Sequence, residues 1–124
     1  MLLDVFRYCR VQTLLSAVAA DVQPLDTVYV DIRNVEGLRR DCQEAVWMGF
    51  TGRLTIHPDQ IPVVNELFTP SPDEAAEAQE LLDAVEAGRA EGRGAITLRG
   101  QMVDAAHIGR AETVLARARQ AGVI

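Results

Sequence analysis

Residues 49–70 place the end of one helix, a short strand and the start of another helix within a single stretch of the chain. Gly49 is predicted to end the first helix, because glycine readily adopts the left-handed conformation found at helix ends. Leu54 and Ile56 are predicted to form a short buried strand. Pro58 then suits the first turn of the next helix. Strands that alternate with helices in this way are typical of α/β folds.

A second strand is predicted over residues 25–31, where β-branched and aromatic residues form a nearly continuous run. Such a run is typical of a strand covered on both faces, as in parallel sheets. A helix over residues 3–20 precedes it and is expected to be ended by Pro24. Asn34 is predicted to cap the next helix. The apolar face of that helix is formed by Leu38, Cys42, Ala45 and Val46.

The sequence changes character after Phe68, where prolines precede a strong signal for the start of a helix. Ser71 is predicted as the N-cap, with Pro72 at the first helical position and Glu74 three residues after the cap. A long helix to about Arg89 is expected to follow.

Two short apolar segments, 95–98 and 102–103, flank an Arg99-Gly100 turn and predict a small hairpin. A last helix is predicted over residues 104–120. This half of the chain is therefore expected to be mainly helical.

The strand–helix–strand–helix order predicts right-handed βαβ units and a parallel sheet, with two convincing strands. A barrel or a doubly wound sheet needs more strands, and a two-stranded sheet leaves edges unpaired. The chain is therefore predicted to be the last part of a larger α/β structure. Two domains are expected, residues 1–68 with the two βα units and residues 69–124 with the helical extension and the hairpin.

The net charge of the chain is −6, and its arginines alternate with acidic residues instead of forming a basic stripe. Both features argue against nucleic acid as a partner. The first residues carry neither a basic region nor a long apolar run, so no signal peptide and no membrane span are expected. The spacing of Cys9 and Cys42 fits no metal cluster or redox motif, which indicates a reduced, cytoplasmic setting.

Two residues are the main candidates for chemistry. His57 is predicted at the end of a strand, where it could bind a ligand or carry a proton, or could instead hydrogen-bond the backbone and fix the turn. Asp104 stands before a predicted helix, where it could donate a proton or orient water, or could instead cap the helix. The sequence leaves these alternatives open.

Three further charged residues are candidates for binding a ligand or stabilising the fold. Arg53 could bind a phosphate or a carboxylate through two nitrogens, or form an exposed salt bridge. Asp31 would face the loop side of a barrel, whereas Asp26 would face the opposite side and is expected to be structural. The sequence contains no glycine-rich phosphate loop, nucleophile elbow or paired-histidine motif.

Several ordered motifs of the chain together resemble one enzyme family. They are Asp26–Tyr29, Glu36–Leu38, Gly49–Arg53, Ile56–Ile61, Phe68–Ser71, Gly94–Ala95 and Gly100–Asp104. On these residues the chain resembles the citrate lyase β-subunit and malyl-CoA lyase family, within the wider HpcH/HpaI aldolase group. The likeness covers nearly the whole sequence.

The resemblance implies a (β/α)8 barrel that makes or breaks a C–C bond in a 3-hydroxy or 3-keto acid attached to coenzyme A. It also implies a homo-oligomer, commonly a trimer, and a Mg²⁺ ion, held by a Glu and an Asp, that stabilises an enolate. Asp104 matches an aspartate that some members insert into a neighbouring subunit's active site as an acid–base group. His57, Pro58 and Gln60 match the wall around the thioester ligand. Arg53 stands where many relatives have lysine.

The metal-binding Glu and Asp of the family, and its substrate-binding Arg, lie in the earlier two-thirds of the barrel. A (β/α)8 barrel takes roughly 250 residues, and this sequence has 124. The fold class is therefore predicted to be α/β: the C-terminal portion of a (β/α)8 barrel, with its last two strands and helices, plus a helical extension. We expect no metal ligands in this chain, which is either truncated or completed by another chain, and no activity from it alone.

Two functions are consistent with these residues. The first is the C-terminal segment of a Mg²⁺-dependent lyase for a citryl-, malyl- or citramalyl-CoA type of thioester. The alternative is a non-catalytic oligomerisation or lid module, formed by residues 69–72, the long helix and the last helix. A decayed remnant without a task is the third reading.

Overall fold

The computed structural model describes residues 2–93 and 95–124, which fall into two compact units, the first ending at Phe68 and the second beginning at Thr69. The first unit contains α1 (Leu2–Ala19), β1 (Leu25–Asp26), α2 (Val35–Met48), β2 (Gly52–Arg53), a 3₁₀ helix (Pro58–Gln60) and α3 (Ile61–Phe68). The second contains α4 (Pro72–Ala90), β3 (Ile96–Leu98), β4 (Gln101–Val103) and α5 (Ala105–Gln120). None of the helices within the described ranges has the length and apolar character needed to span a bilayer.

Strands β1 and β2 form a parallel pair, with Leu25 opposite Gly52 and Asp26 opposite Arg53. Helix α2 connects them, so the predicted βαβ unit is present. The paired region is much shorter than the predicted strand over residues 25–31.

The prediction that Leu54 and Ile56 lie in a buried strand is wrong. They follow β2 instead of belonging to it, and they are 55% and 50% exposed. A strand in a parallel sheet is covered on both faces and paired on both edges, and the described residues supply neither for this segment.

Helix α1 agrees with the predicted helix over residues 3–20 to within one residue at each end, but a Schellman motif ends it and not Pro24. Asp21 adopts a left-handed φ of 54°. Its N–H donates to the carbonyl of Val18, and the N–H of Val22 donates to the carbonyl of Ala17. These two bonds satisfy carbonyl groups that a helix end leaves free, so the helix closes before the proline is reached.

Both predicted ends of α2 are confirmed. The side chain of Asn34 accepts a hydrogen bond from the N–H of Gly37 at 2.8 Å. Gly49 has a left-handed φ of 112°, and its N–H donates to the carbonyls of Ala45 and Val46. Helix α2 and α3 enclose a hydrophobic core of Leu38, Cys42, Ala45, Phe50, Val63, Val64 and Phe68.

Gly37 allows an unusually close approach at the start of α2. A Cβ atom at this position would lie 2.0 Å from the hydroxyl oxygen of Tyr29, far inside van der Waals contact. The absence of a side chain therefore lets the segment after β1 lie directly on the first turn of α2.

The second unit is built as predicted from a capped long helix, a hairpin and a last helix. Ser71 and Glu74 form a complete capping box at the start of α4. Strands β3 and β4 pair in antiparallel fashion around a turn in which Arg99 and Gly100 both have positive φ. Helices α4 and α5 share a core of Ala75, Ala78, Ala111, Leu115 and Ala118.

Candidate functional site

Arg53 lies in a buried cluster of charged side chains in the first unit. Its Nη2 donates to Oδ2 of Asp26 at 2.7 Å, and the two side chains are 0% and 1% exposed. Arg10 donates to the same carboxylate from Nη2 at 2.7 Å and from Nε at 3.2 Å. Arg53 also contacts Asp41. Nη2 of Arg53 is therefore bound by carboxylates of its own chain, whereas the buried Nε has no hydrogen-bond partner among the described residues. The salt bridge that the sequence offered as an exposed alternative is buried.

The cluster also sets the protonation of its members. Burial on its own lowers the pKa of Arg53, but the hydrogen bond and the charge of Asp41, together with the charge of Asp26, raise that pKa overall. Nη1 of Arg53 donates to Sγ of Cys42 at 3.3 Å. Burial raises the pKa of the Cys42 thiol despite this donor. Cys42 is a neutral core residue, as predicted.

His57 forms the cap of the 3₁₀ helix that follows the β2 segment. Its Nδ1 accepts a hydrogen bond from the N–H of Asp59 at 3.2 Å. This is the turn-fixing arrangement that the sequence offered as one alternative. Pro58 occupies the first helical position and is exposed.

Gln60 is 2% exposed and ties two segments of the backbone together. Its Nε2 donates to the carbonyl of Tyr29 at 2.8 Å, and its Oε1 accepts from the N–H of Ile56 at 3.0 Å. The side chain thus replaces the strand pairing that is missing beyond Asp26 and Arg53. These two bonds already use both polar ends of the side chain.

Of the four predicted ligand-binding residues, three lie together. His57, Pro58 and Gln60 follow one another around a single 3₁₀ turn. Arg53 lies in β2, and its contacts are Asp26, Asp41 and Cys42. In barrels the ligand site forms beyond the C-terminal ends of the strands, which is the side of the 3₁₀ turn. The ligand-binding roles of these residues stay predictions.

Asp104 caps α5, and its carboxylate is held chiefly by His107, with a further backbone hydrogen bond from Ala106. Its Oδ1 accepts from the backbone N–H of His107 at 3.0 Å and lies 2.8 Å from Nδ1 of the His107 ring. The backbone hydrogen bond from His107 lowers the pKa of Asp104, and the side-chain hydrogen bond and charge of His107 add to this. The capping role is therefore present, and the catalytic role stays a prediction.

Sequence reasoning missed His107. An acidic N-cap followed three residues later by a side chain that can reach back is the spacing of a capping box, which was recognised for Ser71 and Glu74 only. His107 also lines a shallow depression with Glu77, Glu80, Leu81, Leu98, Arg99, Gln101, Met102 and Val103. Arg99 lies 3.5 Å from the carboxylate of Glu77 and also contacts Glu80.

The acidic residues that the structure describes can be compared with the needs of a metal ion. Over the described ranges, no group of three or more His, Cys, Asp or Glu side chains is arranged to hold a metal ion. Asp26 and Asp41 are neutralised by Arg10 and Arg53. These residues do not fit a Mg²⁺ ion, which prefers carboxylates that are free to bind it.

Known proteins with similar sequences are named as lyases. Mouse mitochondrial citramalyl-CoA lyase is 42% identical over 108 residues, which cover 87% of this chain and 32% of the mouse protein. The citrate lyase subunit beta of Escherichia coli K12 is 36% identical over 116 residues, which cover 94% of this chain and 38% of that protein. The chain thus spans about a third of the length of these relatives.

A similar fold is found among solved structures. The Mycobacterium tuberculosis protein CitE, in complex with magnesium, acetoacetate and coenzyme A, superposes with a TM-score of 0.72 and 42% identity. The match covers 91% of this chain and 41% of the CitE chain. The family described as a C–C bond lyase of the TIM-barrel fold matches residues 2–123. The chain therefore belongs to the family of C–C bond lyases with the TIM-barrel fold.

Proposed function

We propose that this chain forms the C-terminal part of a lyase that cleaves or forms a C–C bond in an acyl-CoA thioester. The observation that carries the proposal is the match of almost the whole chain to about a third of citramalyl-CoA lyase and citrate lyase subunit beta. The malyl-CoA lyase of Cereibacter sphaeroides, 39% identical over 97 residues, supports the same class of substrate.

The remaining barrel strands are proposed to come from polypeptide outside this sequence. The two-stranded sheet of the first unit has exposed apolar side chains beside it, including Leu25, Val30, Leu54 and Ile56. Additional strands would pair with its edges and cover these side chains. In this proposal the first unit is a partial barrel and the second is its C-terminal extension.

The chemical roles are proposed to be divided between this chain and the rest of the barrel. Asp104 is proposed as the acid–base group, and the 3₁₀ turn of His57, Pro58 and Gln60 as part of the wall around the thioester. The described residues do not fit a magnesium ion, so any Mg²⁺ would be held by the rest of the barrel. Arg53 is proposed to organise the sheet instead of contacting the ligand, because its guanidinium is fully buried.

Complementation tests this proposal. The chain is mixed with the part of the Mycobacterium CitE protein that lies outside the matched 41%, together with Mg²⁺ and citramalyl-CoA or malyl-CoA, and release of the product thioester is followed. We expect turnover from the mixture and none from either part. Turnover by this chain without a partner, or none from a mixture shown to associate, contradicts the proposal.

Asp104→Asn tests the proposed acid–base role in that mixture. General acid–base catalysis contributes about 10²–10⁴-fold, so kcat should fall by a factor of that order. Asp73→Asn is the matched control, because Asp73 is an exposed acidic residue in the first turn of α4. Equal rates for Asp104→Asn and the unaltered chain would exclude the role.

A non-catalytic oligomerisation module is the second candidate function. It is supported by the second unit, which has its own core and two capping boxes. Light scattering of the chain without a partner distinguishes the two: a discrete oligomer supports the module, and a monomer that aggregates supports the partial barrel. Homo-oligomer formation and a cytoplasmic location stay predictions.

A further inference from the structure

One nitrogen of His107 lies near two different groups of Asp104. Nδ1 is 2.8 Å from the carboxylate oxygen Oδ1 and 3.3 Å from the backbone nitrogen. An unprotonated Nδ1 can accept from the backbone N–H, whereas a protonated Nδ1 can only donate to the carboxylate. The proton on Nδ1 therefore decides whether His107 caps the helix or binds the carboxylate, and the carboxylate contact is the shorter.

The other charged groups near this pair come from two neighbouring elements. Helix α4 contributes Glu77 and Glu80 to the depression that His107 lines, and the hairpin turn contributes Arg99. Arg99 forms ion pairs with both glutamates. On α5 itself, Arg110 lies one turn beyond His107. The glutamates thus have a cationic partner of their own, and Asp104 is the carboxylate within hydrogen-bond distance of the ring.

We propose that His107 is a positioning residue for Asp104, holding its carboxylate ionised and in one orientation, so that Asp104 accepts a proton in the assembled lyase. This role rests on the proposed function, in which Asp104 is the acid–base group, and it specifies that Asp104 accepts the proton. In that step an O–H bond of a substrate hydroxyl or a water breaks, its electron pair stays on that oxygen, and the proton forms a new bond to Asp104.

Three donors support the ionised form. The backbone N–H of His107, the ring Nδ1 when it carries a proton, and the N-terminal end of α5 all present a donor or positive charge to the same carboxylate. The lowered pKa of Asp104 agrees with this arrangement. An ionised carboxylate has no proton to donate, so Asp104 enters a proton transfer as the acceptor, and the contacts with His107 fix the orientation in which it does so.

His107→Gln separates positioning from capping. Glutamine at this position of a capping box can still accept a hydrogen bond from the N-cap backbone, but it has no ring that can be charged. The pH titration of the Asp104 carboxyl carbon is followed by ¹³C NMR in the unaltered chain and in the variant. We expect the titration of Asp104 to move to higher pH in His107→Gln, with the resonances of Asp83 on α4 unchanged.

An unchanged Asp104 titration would show that the ring only caps the helix, and would overturn the proposal. If the variant does not fold, the unaltered chain still decides the question. A hydrogen-bonded Nδ1 proton of His107 should be visible at low temperature with a coupling across the bond to Asp104. Its absence at a pH at which the ring is charged counts equally against the role.

The pH dependence of kcat/KM in the complemented enzyme is the second readout. Activity in this proposal needs an ionised Asp104. The acidic limb of the kcat/KM profile should therefore move to higher pH in His107→Gln. An unmoved limb overturns the positioning role even where the lyase activity is present. A mixture without lyase activity counts against the proposed function alone, since the NMR titration does not depend on turnover.

Discussion

The two units of this chain bury different kinds of side chain. Asp26, Arg53 and Gln60 are buried in the first unit, whereas the buried side chains of the second are apolar, including four alanines, Leu115 and Val85. The surfaces differ as well. Within the described part of the chain, Met102 and Ile124 are the exposed large apolar residues of the second unit, and the first unit exposes many, including Phe6, Tyr8, Leu15, Val18 and Trp47.

This difference bears on the proposal that the first unit is a partial barrel. Large contiguous apolar surfaces on a soluble domain mark contacts with other polypeptide. The first unit carries exposed apolar residues on α1 and beside the sheet, while its buried Asp26, Arg53 and Gln60 form hydrogen bonds within the unit. The second unit closes its own helix ends and covers its own apolar face. We therefore expect the proposed remainder of the barrel to bind the first unit and not the second.

Arg53→Ala is expected to have the largest effect and acts on the interior of the first unit. Removing one partner of a buried ion pair costs about 3–5 kcal/mol, because the remaining charge stays buried. Asp26 and Asp41 would both keep Arg10, which lies 3.4 Å from Asp41, but they and the core around Cys42 would lose the buried guanidinium. Urea unfolding should show a loss of that order in the free energy of unfolding.

Arg7→Ala provides the control for that measurement. Arg7 forms an ion pair with Glu44 at 2.7 Å on the surface of the same unit. Exposed pairs of this kind contribute about 0–1 kcal/mol. Equal losses for Arg53→Ala and Arg7→Ala would show that the buried cluster does not organise the first unit.

Gly37→Ala is expected to have an intermediate effect. The new Cβ would lie 2.0 Å from the Tyr29 hydroxyl oxygen, so side chain or backbone must move. Overpacking of this kind costs about 1–3 kcal/mol. Gly109→Ala is the counterpart in α5 of the second unit, where no atom lies within 4 Å of the new Cβ.

Thermal unfolding should show changes in stability of opposite sign for these two variants. Gly109→Ala should stabilise the chain by about 0.5–1 kcal/mol, because alanine loses less backbone entropy than glycine in a helix. A stabilising effect of Gly37→Ala would mean that Tyr29 does not lie on the start of α2.

Lysine substitutions on α1 should change stability least while altering association. Phe6 and Leu15 are 63% and 57% exposed, and replacements at such surface positions usually change stability by about 0.5 kcal/mol or less. If their surface meets other polypeptide, Phe6→Lys and Leu15→Lys should reduce self-association and binding to the complementary barrel segment, as measured by light scattering. Met102→Lys in the second unit is the control and should change neither.

Helix ends were the features best predicted from the sequence. Asn34, Gly49 and Ser71 each do what their residue type suggested, because a cap depends on hydrogen bonds within a few residues of the chain. The hairpin turn at Arg99-Gly100 was predicted for the same reason. The family could also be recognised from motifs, since these are properties of the sequence itself.

The strands and the site were predicted less well. The apolar run over residues 25–31 suggested a long strand, but a strand persists only where another strand pairs with it. Gln60 was predicted as a ligand contact, and its bonds to Tyr29 and Ile56 became visible only once residues 31 and 4 positions away in the chain were brought together. No local pattern could reveal that contact.

The sequence by itself determined where helices begin and end and to which family of lyases the chain belongs, because both depend on residues that are near one another in the chain or on shared motifs. The tertiary structure alone decided the surroundings of each charge. Arg53 is a buried partner of Asp26 and Asp41 because a βαβ crossover brings them together, and a guanidinium enclosed by carboxylates is stable where an isolated one is not.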